Sequence, residues 1–99
     1  MEAIELKVAG VTFEGRQEIL KGMMGAPRLA RLVREPDNKY DPNAIAVVAN
    51  GQKIGYIPKA IAGDLAGLLP AIRFAWLHPA YAEDLGNYYA TLKIHFKEA

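Results

Sequence analysis

A tight turn between two apolar segments, in the middle of the chain, restricts the fold more than any other feature. The segment Ala44 to Ala49 is continuously apolar, Asn50-Gly51 follows, and Gln52 to Ile57 comes directly after. Asn and Gly both tolerate the positive φ angles that a two-residue hairpin turn requires. The sequence therefore predicts an antiparallel hairpin over residues 44–57, for which the rest of the chain has to supply partner strands.

Four further segments predict those strands. Residues 4–11 alternate apolar and polar side chains, and residues 88–97 do so more regularly, with the even-numbered positions apolar and therefore facing a core. Residues 28–35 fit a helix face as well as a bulged strand, but the flanking prolines limit them to a length typical of strands. Residues 71–77 predict another strand, which we expect Pro79 to end.

Helices are few in this sequence. Pro58 can begin and Pro70 must end a helix over about residues 58–69, where the apolar residues fall on one stripe. Residues 12–26 contain three glycines and predict a loop with one or two helical turns near 16–21. So few helices cannot cover a parallel sheet, and we expect a mainly β fold: five or six short antiparallel strands in a small barrel or strongly bent sheet, with the helix packed against an open end.

Length and composition indicate one domain, and the lack of cysteine is compatible with a reducing compartment. The chain has 99 residues, 52% of them hydrophobic, which is enough for a single core, and we expect residues 1–99 to form one domain. It has no cysteine, which excludes disulfides, thiolate zinc sites and cysteine nucleophiles. The acidic N-terminus lacks the pattern of a secretion signal, and no apolar run approaches the length of a membrane helix. We expect a cytoplasmic, soluble protein without a membrane partner.

Charge is unevenly distributed although the formal net charge is only +1. Residues 16–34 carry five basic side chains against the single acid Glu18, whereas Glu83-Asp84 is acidic. One interpretation is a basic surface that attracts a polyanion. The other is that these cations are the solvated positions of half-buried strands, and charge alone favours this second interpretation.

Few residues of this sequence form a pattern typical of a catalytic site. Glu35, Asp37 and Asp41 could supply an acid and a base, but acidic residues in turns more often cap backbone donors. His78, expected in a loop, and His95, expected on the wet face of the last strand, lack partners at metal-ligand spacing. The glycine-containing segments have neither the lysine nor the hydroxyl of a phosphate-binding loop. We expect no enzymatic activity, no cofactor and no metal.

Two blocks of sequence resemble a known family. Residues 34–45 read R-E-P-D-N-K-Y-D-P-N-A-I and residues 54–58 read I-G-Y-I-P. With the opening segment 8–13 and the helix over 60–69, they resemble the HIRAN domain, in which a strand, an R-x-P-x-N-x-Y-D-x-N-A loop and a V-G-Y-I-P hairpin arm follow in this order. The resemblance covers roughly residues 6–96 and is most specific in the loop and the hairpin. It implies an open barrel related to the oligonucleotide-binding fold, and binding of single-stranded DNA with preference for a 3′ end.

The resemblance also implies roles for particular residues. In the family the Tyr-Asp pair works as a unit, with the ring stacked on the terminal base and the carboxylate accepting a hydrogen bond from the 3′-hydroxyl. Tyr40 and Asp41 match that pair. Phe13 lies at or next to the position of a second aromatic after the first strand, and Asn38 matches the loop asparagine.

Basic side chains near these segments are candidates for phosphate contacts, which would make affinity fall as salt rises. They are Arg16, Lys39, Lys53 and Lys59. Family members often carry an arginine beside the first aromatic, whereas this chain has Thr12, so one contact is expected to be missing.

Alternatives remain at this stage. On spacing alone, Tyr40 could pack against the barrel mouth and Asp41 could simply cap the turn before the next strand. Tyr56 and Trp76 lie on alternating strands and are expected in the core. We expect a role in DNA repair or processing beside a partner enzyme, a helicase or nuclease, because the chain has no motor motif. The alternative is a protein-interaction module without DNA affinity, whose barrel edge pairs with a strand of its partner.

Overall fold

Six antiparallel strands form one strongly curled sheet in a computed structural model that describes residues 3–98. The strands are β1 (Ile4–Lys7), β2 (Arg28–Arg34), β3 (Ile45–Ala49), β4 (Gln52–Tyr56), β5 (Ile72–Ala82) and β6 (Asn87–Phe96). Helix α1 spans Arg16–Gly22, helix α2 spans Lys59–Ala66, and a 3₁₀ turn covers Leu69–Ala71. The strand order β1-β6-β5-β2-β3-β4 confirms the predicted mainly β, barrel-like fold.

The two outermost strands of this sheet meet through a single backbone bridge. Ala9, just beyond β1, pairs with Tyr56 of β4, and each backbone N–H donates to the other carbonyl at 2.8 Å. Gly55 permits this approach, because a Cβ there would overlap the Ala9 carbonyl oxygen and the Val8 side chain. Gly10 follows with a φ of 71° and turns the chain away. The sheet therefore curls into an open barrel with its mouth beside residues 9–16.

The core fills the inside of the barrel. Strand β3 is apolar at every position because nearly all of it is buried, whereas β6 alternates as predicted, with Ala90 to Phe96 buried at even positions and Lys93 exposed. Both helices contribute one large side chain to the core, Leu20 from α1 and Leu65 from α2. The predicted hairpin is confirmed, with Asn50 and Gly51 at φ angles of 52° and 74°.

Two predicted elements are shorter in the structure. Strand β1 ends at Lys7 rather than at residue 11, because the chain leaves β6 to reach β4. Helix α2 ends at Ala66, where Gly67 follows and the Leu68 N–H donates to the Leu65 carbonyl in a tightened turn at 2.8 Å. No helix within residues 3–98 is long and apolar enough to cross a membrane. The helical turns predicted near residues 16–21 are confirmed as α1.

Strand β5 is longer than predicted, because it continues through Pro79 to Ala82. Its pairing with β2 ends at Leu77, so the following residues have β6 on one side only. A proline is tolerated on such an open edge, where its missing N–H leaves no ladder bond unmade. The prediction that Pro79 ends the strand is wrong for this reason, and His78 lies exposed within the strand rather than in a loop.

Helix α1 is tied to the β5–β6 hairpin by the side chain of Gln17. Its Oε1 accepts a hydrogen bond from the Tyr88 N–H at 2.7 Å, and its Nε2 donates to the Tyr88 carbonyl at 2.8 Å. The same Nε2 lies 2.9 Å from the Val11 carbonyl oxygen. One amide side chain thus supplies the rung that a neighbouring strand would otherwise give β6.

Candidate nucleic-acid interface

A cavity of about 810 Å³ lies at the barrel mouth, where the loop after β1 faces the loop between β2 and β3. Its walls come from residues 9–16, 37–44 and 56–59. Most of the predicted site residues lie in these walls: Phe13, Arg16, Asn38, Lys39, Tyr40, Asp41 and Lys59. Three segments that are far apart in sequence are thus brought together, as the binding hypothesis requires.

Two aromatic rings stand open to solvent at this cavity. Tyr40 is 85% exposed and Phe13 is 65% exposed. Large apolar rings are usually covered, and a ring held in solvent beside a cavity offers a face on which a base can stack. The alternative that Tyr40 packs against the barrel mouth is therefore wrong.

The loop that carries Tyr40 is shaped by its own side chains. Asn38 Oδ1 accepts hydrogen bonds from the backbone N–H groups of Tyr40 at 2.9 Å and Asp41 at 3.1 Å. Asp41 Oδ1 accepts from the Asn43 N–H at 2.9 Å, so Asp41 does cap the turn that leads into β3. This cap uses one carboxylate oxygen, and within residues 3–98 no hydrogen bond reaches the other, Oδ2.

A second network holds Asn38 in place. Glu35 Oε1 accepts hydrogen bonds from Asn38 Nδ2 at 3.0 Å and from the Tyr56 hydroxyl at 2.8 Å. Glu35 Oε2 lies 2.7 Å from the Lys53 ammonium, which also donates to the Tyr56 hydroxyl at 2.9 Å. The bond from Lys53, with those from Tyr56 and Asn38, lowers the pKa of Glu35 from 4.5 to about 2 against the opposing effect of burial. The hydrogen bonds of Lys53 to Glu35 and to the Tyr56 hydroxyl raise the pKa of Lys53.

This network changes the picture of two residues. Lys53, a predicted phosphate contact, lies outside the cavity wall, and its ammonium is engaged by Glu35 and Tyr56. Tyr56, expected in the core, is only half-buried and lines the cavity. The sequence signal that could have placed Tyr56 here is its position in the I-G-Y-I-P arm, directly before the residues that carry the chain to Lys59.

Arg16 is the cation most deeply placed at the cavity, with 4% of its surface exposed. Its Nη1 donates to the Gly10 carbonyl at 2.7 Å, its Nη2 lies 3.1 Å from Glu14 Oε2, and its guanidinium carbon is 5.3 Å from the Tyr56 ring centroid. Its Nε is buried without a hydrogen-bond partner among the described residues. Arg16 therefore fixes the loop that carries Phe13. The Glu14 carboxylate occupies the side of the Arg16 guanidinium where another anion would otherwise bind.

Charges at the cavity balance each other. The basic residues of the wall are Arg16, Lys39 and Lys59, and the acidic ones are Glu14, Asp37 and Asp41. A ligand held here gains affinity from ring contacts and hydrogen bonds more than from net attraction. The basic excess of residues 16–34 lies mostly elsewhere, since Lys21, Arg31 and Arg34 are exposed on α1 and β2.

Three acidic residues at or next to the cavity, Glu14, Glu35 and Asp41, have structural partners. Glu35 is committed to Lys53 and Tyr56, and Asp41 caps its turn. Within residues 3–98 there is no cluster of three or more His, Asp or Glu side chains that could hold a metal ion. The arrangement is suited to holding a ligand with an aromatic base and a hydroxyl donor.

Comparisons with known proteins agree with this geometry. A model of the HIRAN domain family matches residues 1–94. A helicase-like transcription factor of Oryctolagus cuniculus is 41% identical over 49 residues, which is 48% of this chain and 5% of that protein. The crystal structure of the HIRAN domain of human HLTF superposes with a TM-score of 0.64 at 22% identity, covering 98% of this chain and 78% of that one. The chain belongs to the HIRAN domain family, which is known as a family of DNA-binding modules.

Proposed function

We propose that this chain binds single-stranded DNA and recognises a free 3′ end in the cavity at the barrel mouth. The observation that carries the proposal is the exposure of Phe13 and Tyr40 at one cavity that also contains the carboxylate of Asp41. Membership of a DNA-binding family supports the same ligand class.

Each group has a chemical role in this proposal. The terminal base stacks on Tyr40 and a base also contacts Phe13, which contributes roughly 1–3 kcal/mol per base without selecting its identity. The Asp41 carboxylate accepts a hydrogen bond from the 3′-hydroxyl, whereas a 3′-phosphate would bring a second negative charge against it. Lys39 and Lys59 line the cavity wall, where they would contact backbone phosphates. Arg16 could contact a phosphate only if the phosphate replaced Glu14 as its ion-pair partner.

The direct test compares two fluorescent oligonucleotides that differ only in a 3′-hydroxyl or a 3′-phosphate. We expect the hydroxyl form to bind roughly tenfold tighter, the size of one charge-assisted hydrogen bond. Asp41→Asn keeps an acceptor for the Asn43 N–H but removes the charge, and should shrink the difference. Asp64→Asn, on exposed α2 outside the cavity, is the matched control and should leave it intact. Equal affinity of the wild type for both oligonucleotides would overturn end recognition.

The stacking role predicts a separate loss. Tyr40→Ala and Phe13→Ala should each weaken binding of the 3′-hydroxyl oligonucleotide by roughly fivefold to a hundredfold. Their thermal unfolding midpoints should stay close to that of the wild type, because both rings are exposed. Tyr81→Ala removes an exposed ring from the β5–β6 hairpin and serves as the control. Unchanged affinity in both cavity variants would show that the rings do not contact DNA.

We infer that the chain acts by binding alone and supports DNA repair or processing beside a helicase or nuclease. The family is one of binding modules, and the matched relative is named as a helicase-like transcription factor, of which the 49 matched residues cover 5%. Any strand separation or cleavage would then come from the partner.

The open edge of β5 favours a second candidate, a protein-interaction module. Residues 78–82 pair with β6 only. The exposed side chains of Tyr81 and Leu85 lie on the same β5–β6 hairpin. An extended partner segment could add a strand there. A partner retained after nuclease treatment and by Tyr40→Ala, with no affinity of the chain for oligonucleotides, would favour this candidate over DNA binding.

A further inference from the structure

The outer face of the sheet carries a second set of aromatic and basic side chains, away from the cavity. Leu29 of β2 pairs with Trp76 of β5, which pairs with Lys93 of β6, so that one row crosses three strands. Phe74 and His95 pair in the neighbouring row, and Arg31 lies two residues beyond Leu29 on the same face of β2. None of these residues lines the cavity. We call this set, Leu29, Arg31, Phe74, Trp76, Lys93 and His95, together with Arg73 beside Phe74, the outer face.

The aromatic rings of the outer face form a continuous strip. Phe74 and Trp76 lie edge to face, with ring centroids 6.2 Å apart and planes at 81°. His95 stacks on Phe74 at 4.5 Å and 25°. The guanidinium carbon of Arg73 lies 5.7 Å from the Phe74 ring centroid. Trp76 and Phe74 are half-buried rather than enclosed, and Leu29 beside them is 59% exposed.

Charge distinguishes the outer face from the cavity. Arg31, Arg73 and Lys93 are exposed, and the acidic residue in register with them is Glu5, opposite Lys93. Neither ion pair found in the described part of the chain involves these three cations. Aromatic surface beside three exposed cations, of which Lys93 faces the acid Glu5, matches the chemistry of a single strand, which presents flat bases and a row of phosphates.

We propose that the outer face binds single-stranded nucleic acid along its length, independently of strand ends. Bases stack on the strip of Trp76 and Phe74, and phosphates lie beside Arg31, Arg73 and Lys93. Strand β2, which carries Leu29 and Arg31 of the outer face, leads through Arg34 into the loop that carries Tyr40 of the cavity. A strand held at its end is thereby offered a second contact at high effective concentration.

The test uses a circular single-stranded oligonucleotide, which has no 3′ end for the cavity. Trp76 is the single tryptophan of the chain, so tryptophan emission reports on the outer face alone. We expect the circle to bind and to change that emission. Tyr81→Ala, which removes an exposed ring outside both the cavity and the outer face, should leave binding of the circle unchanged.

Two charge reversals with the same net effect provide the matched comparison. Lys93→Glu should weaken binding of the circle by roughly fivefold or more, whereas Lys21→Glu on α1 should change it little. Since Lys93→Glu places two acids opposite each other with Glu5, Lys93→Ala is the second variant, and thermal unfolding checks the fold of each.

Each outcome decides between the two sites. A circle that fails to bind, or that binds without changing Trp76 emission, or whose affinity is equal in the wild type and Lys93→Ala, overturns the outer-face proposal. End discrimination by the cavity could still hold in that case. A circle that binds through Lys93 while 3′-hydroxyl and 3′-phosphate oligonucleotides bind equally supports the outer face and rejects the cavity's role.

Discussion

The cavity and the outer face hold their side chains in place in different ways. The cavity is built from loops, and its geometry depends on hydrogen bonds that Asn38 Oδ1 and the Glu35 carboxylate accept. The outer face is built from strands, where register alone aligns Leu29, Trp76 and Lys93. Charges balance in the first region and are mostly positive in the second. A loop site can fit one chemical group closely, whereas a strand face suits a repeating polymer.

The largest expected effect comes from Gly55→Ala, which tests whether the two regions can be separated. A Cβ at residue 55 meets the backbone of Ala9, so the β1–β4 bridge beneath the cavity has to open. We expect a loss of stability on the order of 3 kcal/mol and a fall in the unfolding midpoint of roughly 15 °C. Affinity for a 3′ end should fall with it, as measured by titration well below the midpoint.

The emission of Trp76 gives the control for this variant. At temperatures where Gly55→Ala is still folded, the outer face should keep the wild-type spectrum, because β2, β5 and β6 take no part in the bridge. A spectrum altered as strongly as end binding would show that the two regions are one unit. Gly22→Ala, at the end of α1, is the matched control, because a Cβ there meets no atom within 4 Å and the unfolding midpoint should not fall.

A smaller effect is expected from Glu35→Gln, which loosens the cavity loop and spares the outer face. The folded-state pKa of about 2 lies below the ordinary 4.5, so ionised Glu35 stabilises the fold above pH 4.5 and this contribution is lost as the pH falls toward 2. We expect the variant to cost about 1 kcal/mol at neutral pH and to lose less stability than the wild type across that acid window. Urea denaturation above and within the window measures both.

Lys53 gives the corresponding expectation at high pH. Its raised pKa means that its contribution to the stability of the fold is complete below pH 10.5, the ordinary pKa, and declines as the pH rises beyond that value.

Glu83→Gln, at the exposed hairpin tip, is the matched control for Glu35→Gln and should retain the wild-type pH profile. Parallel pH profiles of Glu35→Gln and the wild type would contradict the ion pair.

The smallest effect concerns the charge balance of the cavity itself. Glu14→Gln removes the carboxylate that pairs with Arg16. The Glu14 side chain is 75% exposed, so its replacement leaves the fold nearly unchanged. We expect binding of a 3′-hydroxyl oligonucleotide to tighten by about twofold to fourfold, because one repulsive charge is gone and Arg16 is free to meet a phosphate. Glu18→Gln on α1 should show no such gain. Weaker binding by Glu14→Gln would mean that Glu14 itself contacts the ligand.

Local patterns in the sequence predicted much of the architecture. The Asn50-Gly51 hairpin, the alternation of β6 and the short helix at Arg16 follow from turn chemistry and side-chain period, which act over a few residues. The family motif indicates Tyr40 and Asp41 as candidate site residues, and the structure adds that Asn38 orients their backbone.

Contacts between distant segments could not be predicted in this way. Nothing local indicates that Ala9 pairs with Tyr56, and without that bridge Tyr56 belongs to an ordinary alternating strand. The commitment of Lys53 to Glu35 likewise depends on two strands meeting. Pro79 was expected to end β5 because proline lacks a donor, but the open edge beside it follows only from the length of β2.

The amide of Gln17 has one consequence for measuring this protein. Because that side chain receives the Tyr88 N–H, the Tyr88 proton can exchange with deuterated solvent only when helix α1 lifts from the hairpin. Arg16, one residue earlier, belongs to the cavity wall. The deuteration rate of the Tyr88 amide on the β5–β6 hairpin therefore measures how often helix α1, beside the cavity, separates from that hairpin.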